Sequence, residues 1–149
     1  MSSSLAEYFA GTGNFTLALA DAFAEVVALE GDADAVPVGE ALAEAAGAGN
    51  VSFRQADLTA PPRPLPQADV VLLDPPRTGA RALCELLANG AARRIVYVSC
   101  DPACLARDLA ALKVSENWEI ASVDMVDLFP RTAHVETVVV LRRSSPAPT

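Results

Sequence analysis

Five short segments with strand character, at residues 5–9, 26–29, 51–55, 68–73 and 93–99, each run into a cluster of glycine, proline or acidic residues. All but the third lead on to a stretch with helical spacing. Such alternation builds a parallel sheet with helices packed on its faces. Residues 68–73 are apolar except for Asp69, as a strand in the interior of a parallel sheet requires. Two further strands are expected at 118–126 and 135–141, and the loop between them holds no helix, so they should form an antiparallel pair at one edge. The expected fold is α/β: a mainly parallel seven-stranded sheet with an antiparallel last strand and helices on both faces.

Helices are expected over 15–23, 34–48, 80–87 and 102–112. The first offers Phe15, Leu17, Leu19, Ala20 and Phe23 for packing, the second carries Pro37 in its first turn, and the last shows Leu105, Leu109 and Leu112 along one face. Residues 60–66 hold four prolines and must be a loop. A chain of 149 residues makes one domain that buries about two thirds of its extended surface. That domain is expected over 5–142, with 1–4 a disordered start or expression remnant and 143–149 a disordered tail. No apolar run approaches the ~20 residues of a membrane span. With no signal-peptide pattern at the start, a cytoplasmic address without membrane contact is expected.

Three cysteines, Cys84, Cys100 and Cys104, form no disulfide framework. Although Cys100 and Cys104 are four apart, His134 is the only histidine, so no zinc or iron–sulfur set is completed and no metal site is expected. Cys84 and Cys104 fall within helices and read as packing residues. The formal charge of −8 repels a polyanion. Arg77, Arg81, Arg93, Arg94, Arg107 and Arg131, all in the C-terminal half, can still make one mouth basic.

In an open α/β sheet, ligands bind outside the carboxyl ends of the strands, and the residues there are chemically dense. The first strand ends at Phe9 and enters Gly11-Thr12-Gly13-Asn14, a turn that lets the backbone approach a ligand closely. Without a third glycine this turn alone also fits a tight connection that binds nothing. Glu30 ends the second strand at the position that grips ribose hydroxyls in nucleoside-binding folds, and the combination points to a nucleoside. Asp57, after the third strand, either meets an adenine amine or caps a turn. Asp74 is stiffened by Pro75 and Pro76. Cys100 follows the fifth strand just before Asp101-Pro102 opens a helix, and Glu136 lies beside His134 after the turn 129–132.

Four motifs in order carry a resemblance: Tyr8-Phe9-Ala10-Gly11-Thr12-Gly13-Asn14-Phe15, Asp74-Pro75-Pro76-Arg77-Thr78-Gly79, Val98-Ser99-Cys100-Asp101-Pro102 and Phe129-Pro130-Arg131-Thr132-Ala133-His134-Val135-Glu136. From about residue 5 to 142 the chain resembles the catalytic domain of the class I, Rossmann-like, S-adenosylmethionine-dependent RNA uracil-5-methyltransferases. That resemblance implies cofactor contacts at Phe9, Gly11, Gly13, Asn14, Glu30, Asp57 and Asp74, with Cys100 as nucleophile and Glu136 as base. It implies methylation at carbon 5 of a uridine in rRNA or tRNA through a covalent cysteine adduct. Asp74 is then expected to hold the uracil edge, and His134, for which acid–base chemistry is also conceivable, reads rather as a positioning residue because Glu136 already serves the carbon 5 proton. Two departures stand out. Glu7 replaces the usual aspartate of the first strand, and the family's upstream RNA-binding regions are missing, so an additional RNA-binding region is expected to be needed. The residues also leave open a class I methyltransferase with another substrate, or a cofactor-binding fragment without activity of its own. Nothing in the sequence fixes an oligomeric state.

Overall fold

A computed structural model of the chain describes residues 3–114, 116–127 and 135–144. Among these, seven strands form one sheet: β1 (Ser4–Tyr8), β2 (Glu25–Glu30), β3 (Val51–Gln55), β4 (Val70–Leu73), β5 (Arg94–Ser99), β6 (Trp118–Val126) and β7 (Glu136–Arg143). Four helices accompany them: α1 (Asn14–Leu19), α2 (Ala35–Ala45), α3 (Arg81–Leu87) and α4 (Pro102–Ala111). The spatial order is β3-β2-β1-β4-β5-β7-β6. Strands β1 to β5 pair in parallel, and β7 runs against both β5 and β6. The mainly parallel sheet with a reversed last strand is therefore the one formed. The chain winds outward from β1 to β3 and then returns to β4 on the other side of β1, so the order reverses there and leaves a crevice at the carboxyl ends.

Side-chain alternation divides the core between the two faces. On one face Ala6, Tyr8, Leu73 and Tyr97 pack under α3 and α4 through Leu83 and Leu105. On the other, Leu5, Val26 and Leu72 meet Leu19 and Phe23, while Phe53 packs with Ala28 and Ala43 of α2. Beside α1 this second face opens into a groove of about 580 Å³ lined by Val96, Val98 and Val138, with Glu136 and Arg94 also on its walls. Phe15 differs from expectation. It stands 40% exposed on that groove, and Thr16 takes the buried place in α1 because its hydroxyl donates to Glu7 in β1.

The ends of the domain are more ordered than the sequence suggests. Ser4 was expected in a disordered start, but it begins β1, and its N–H and hydroxyl both donate to Asp69 Oδ2 at 3.0 and 3.2 Å. Arg143, expected in the tail, ends β7 with its guanidinium 4.0 Å from the centre of the Trp118 ring and its Nε donating to the Ala92 carbonyl. Backbone pairing and a cation–π contact hold these positions. The expected tail beyond Ser144 and the turn 128–134, including His134, lie outside the described residues. Among the described residues no helix is long and apolar enough to cross a membrane.

Candidate active site

The tips of β1 and β2 are joined by hydrogen bonds of the glycine turn itself. Phe9 leaves β1 in the left-handed region at φ 65°, and Gly11 and Gly13 follow at 57° and 96°. Ala10 N–H donates to the Leu29 carbonyl at 3.1 Å, and Gly13 N–H to the Ala10 carbonyl at 2.9 Å. Gly11 N–H donates to Glu30 Oε2 at 2.7 Å, while Glu30 Oε1 accepts from Asp32 N–H at 2.9 Å. Glu30 thus ties the first two strand tips together, and a carboxylate with about four acceptor sites keeps capacity for a ligand.

The two glycines differ in what surrounds them. A Cβ on Gly11 would meet nothing within 4 Å, so the backbone there opens onto free space. At Gly13 the equivalent position lies 2.7 Å from the Phe53 ring, and Gly39 of α2 approaches the same ring as closely. Gly13 therefore serves packing beneath the turn, whereas Gly11 faces the crevice. Asn14 is exposed at the start of α1. Asp57 is exposed after β3, and its Oδ1 accepts from Thr59 N–H at 2.9 Å and Thr59 Oγ1 at 2.6 Å, the geometry of a turn cap. Those bonds hold its carboxyl below the ordinary range.

Three more residues gather on the other side of the crevice. Leu73, the last residue of β4, pairs with Tyr8 and Tyr97 and faces α3 and α4, so Asp74 emerges between β1 and β5 and turns to the opposite face. Along β5 and β7, Val98 lies opposite Val138 and Ser99 opposite Thr137. The ladder ends at that pair; half-buried Cys100 directly follows Ser99 in a bend, and Glu136 directly precedes Thr137. Opposed residues of an antiparallel pair sit with Cα atoms about 4.5–5.5 Å apart and side chains on one face. Glu136 shares its face with Val98 and Val138, since all three line the same groove. The Asp74 carboxyl is pushed above the ordinary range, first by burial and then by the Glu136 carboxylate.

Beneath them lies Glu7, whose importance the sequence marked only as a departure from the family pattern. It is 1% exposed, and it accepts from Thr16 Oγ1 at 2.5 Å. Burial pushes its carboxyl up to about 7; the Thr16 bond works against this and Asp74 adds to it. The sequence also missed Asp108, fully buried in α4. Its signal was available: Asp108 falls between Leu105 and Leu112 at three and four residues' spacing, an acid on the helix's apolar face.

The expected basic mouth is corrected in part. Arg93 and Arg94 lie at the opening of β5, roughly 20 Å from Cys100 at ~3.3 Å per strand residue. Arg81 pairs with Glu85, and Arg107 is engaged by Asp108 and the Thr78 carbonyl. Arg77 stands on the mouth, near enough to lower the Asp101 carboxyl after the larger effect of the Cys104 N–H. Arg131 lies outside the described residues. Among the described residues no group of three or more His, Cys, Asp or Glu is placed to hold a metal ion.

Comparison with known proteins places this geometry among its relatives. The family model described as tRNA (Uracil-5-)-methyltransferase matches residues 66–144, just over half of the chain, and a general methyltransferase domain model matches residues 6–76. The chain is 43% identical over 146 residues to the 23S rRNA (uracil(1939)-C(5))-methyltransferase RlmD of Hahella chejuensis, covering 93% of this chain and 32% of that protein. Its counterpart in Alkalilimnicola ehrlichii is 44% identical over 143 residues, with 93% and 32% covered. Among solved structures, the Pyrococcus abyssi tRNA (uracil-54, C5)-methyltransferase in complex with S-adenosyl-L-homocysteine superposes with a TM-score of 0.81 at 29% identity, covering 95% of this chain and 34% of that one. A dimethyladenosine transferase from Plasmodium falciparum, with a TM-score of 0.79 at 17% identity over 96% of this chain and 56% of that one, shares the fold. The chain spans about a third of the length of its RlmD relatives.

Proposed function

Because the chain belongs to the tRNA (uracil-5-)-methyltransferase family, we propose that it is the catalytic part of an enzyme that methylates carbon 5 of a uridine in RNA, with S-adenosylmethionine as donor. Ribosomal RNA is the substrate class we assign, following the relatives at 43% and 44% identity. The rest of such a protein would hold the RNA, because this domain carries a formal charge of −8 and a polyanion binds chiefly through neutralised phosphates.

The residues fit the donor. Gly11 opens onto free space, and Glu30 retains acceptor sites for ribose hydroxyls. Phe9, Gly11, Asn14, Glu30, Asp57 and Asp74 would hold it, with Gly13 shaping the turn from below. When bound, S-adenosylmethionine supplies an electrophilic methyl group on a sulfonium. This chain's own residues must make carbon 5 able to accept it. In this reading Cys100, as thiolate, forms a bond to carbon 6 of the uracil and moves an electron pair toward carbon 5 as an enolate. Carbon 5 takes the methyl group, Glu136 accepts the proton from carbon 5, and the released pair re-forms the double bond while the cysteine sulfur departs. Asp74 borders the base, and its raised carboxyl can share a proton with a carbonyl oxygen on the uracil edge.

What supports the proposal is the β5–β7 ladder, whose last pair, Ser99 with Thr137, adjoins Cys100 on one strand and Glu136 on the other, with Asp74 near enough to feel the Glu136 carboxylate. Trapping with 5-fluorouridine RNA tests it, since fluorine cannot leave as a proton and the adduct persists. Cys100→Ala should form no adduct. With ordinary uridine RNA, Glu136→Gln should accumulate a methylated covalent species, and rapid product release from that variant would remove Glu136 from the role of base.

A further inference from the structure

We infer that Arg107 and Asp108 are positioning residues for the methyl transfer: they clamp the loop 74–80 to α4 and so set Asp74 against Cys100. The inference rests on the roles given to those two residues above. The last ladder pair between β4 and β5 is Leu73 with Tyr97, and the two reacting positions lie just past it. Past that pair, one buried carboxylate joins the segments. Asp108 Oδ2 accepts from Ala80 N–H at 2.6 Å and from the Tyr97 hydroxyl at 2.5 Å. Its Oδ1 accepts from Arg107 Nε and Nη2 at 2.9 and 2.8 Å, and Nη2 also donates to the Thr78 carbonyl at 2.7 Å. Four donors saturate a carboxylate.

Each partner belongs to a different part of the site. Ala80 and Thr78 end the stiff loop that begins at Asp74, Tyr97 lies three residues before Cys100 in β5, and Asp108 belongs to the helix whose first residue is Pro102. At the other end of that helix's first turn, Asp101 Oδ1 accepts from Cys104 N–H at 2.8 Å, fixing the exit from Cys100. Gly79 explains why the loop can sit down on the clamp. Its φ is +74°, and a Cβ there would lie 2.5 Å from Asp108 Oδ2 and 2.6 Å from Arg107 Nη2. The loop's glycine is thus required by the carboxylate–guanidinium pair. A guanidinium suits this place because its fork reaches carboxylate and carbonyl together, which a lysine ammonium does not reproduce.

The test compares wild type, Arg107→Ala and Gly79→Ala in three measurements: calorimetric affinity for S-adenosylhomocysteine, rate of adduct formation with a short 5-fluorouridine RNA, and rescue by millimolar ethylguanidinium. In Arg107→Ala the adduct rate should fall about ten- to hundred-fold, the cost of a reacting group misplaced by roughly an ångström. Affinity for S-adenosylhomocysteine should fall by no more than about three-fold, since of the residues given to the donor only Asp74 lies on the clamped loop and the others are distant. Ethylguanidinium should restore the rate at least about five-fold by re-forming the charged bonds. Gly79→Ala should show the same split between rate and affinity without rescue. An unchanged adduct rate in either variant, or rate and affinity lost together without rescue in Arg107→Ala, overturns the clamp. If wild type forms no adduct, either this domain does not hold the RNA on its own or the reading of Cys100 fails, and the adduct rate then says nothing of the clamp. The clamp is then judged by iodoacetamide labelling of Cys100, where a rate changed at least about three-fold in both variants upholds it and equal rates overturn it.

Discussion

The two halves of the crevice are built by different means. Between β1 and β2 the turn closes on itself: Ala10 reaches Leu29, Gly11 reaches Glu30, and the residues joined lie 19 positions apart in each case. Across β4, β5 and β7, by contrast, Asp74, Cys100 and Glu136 come from three separate crossings, and their placement depends on strand register and on the Asp108 clamp. Bonds from backbone N–H groups, to the Leu29 carbonyl and the Glu30 carboxylate, set the first half, and long-range packing sets the second. A ligand grip of the first kind should survive damage to the second, and the reverse should not hold so cleanly, because β1 lies at the centre of the sheet.

The largest expected effect sharpens that difference. Cys100→Ala should lower methyl transfer by at least about 10³-fold, in the range seen when a catalytic nucleophile is removed. Affinity for S-adenosylhomocysteine should remain within about two-fold, since the bonds of the turn run among Ala10, Gly11, Gly13, Leu29, Glu30 and Asp32, away from Cys100. A parallel loss of affinity in calorimetry would show that the halves are one unit.

Those two kinds of construction also decide what the sequence could reveal. Strand and helix order was legible because each short apolar run ended in a turn cluster, and the glycine turn with Glu30 was legible because its members are close in the chain. The span of β6 and the reversal of β7 followed from a loop too poor in helical pattern to permit a parallel crossover. Asp108 was not legible by the same rules. A lone acid between Leu105 and Leu112 has no partner in sequence, and its donors, Ala80 and Tyr97, come from other crossings. Within the strand expected at 51–55 nothing marked Phe53, though its ring fills the space over both Gly13 and Gly39. Arginine clustering misled for a related reason, since nearness along the chain placed Arg93 and Arg94 at the wrong end of β5.

Glu7 joins the halves, with Thr16 of α1 on one side and the field of Asp74 on the other. Its carboxyl is held neutral up to about 7 in the fold, against 4.5 ordinarily, mainly by burial. The folded chain therefore keeps a proton that the unfolded chain releases. The stabilisation is full below pH 4.5, declines as pH rises toward 7, and levels off above it, losing about 3 kcal/mol over that window at ~1.36 kcal/mol per unit. Glu7→Gln should flatten the decline, measured by urea unfolding at pH 5 and pH 8. A slope that persists unchanged would assign it to Asp74, whose raised carboxyl acts in the same direction.

Gly13→Ala attacks the first half from beneath. The substitution forces an L residue to φ 96° and drives its Cβ toward the Phe53 ring at 2.7 Å. Together the strain and the overpacking should cost about 1–3 kcal/mol in urea unfolding. Ligand affinity should fall with it, while iodoacetamide labelling of Cys100 at fixed pH should not change. Gly11→Ala is the control, with strain at φ 57° but open space, so its stability loss should be the smaller of the two.

Glu30→Gln gives the smallest effect and isolates the tie between the first two tips. A carboxylate accepts from Gly11 N–H at one oxygen and Asp32 N–H at the other, whereas an amide has one acceptor and must turn its NH₂ toward one of those donors. One bond is lost and a donor is left facing a donor, which should cost on the order of 1 kcal/mol in stability. In the nucleoside reading the same oxygens also accept from ribose hydroxyls, so affinity for S-adenosylhomocysteine should fall about ten-fold, more than the stability loss alone implies. Equal changes in stability and affinity would leave Glu30 as a brace for the turn with no hand on the ligand, and the self-closing half of the crevice would then be scaffold without a grip.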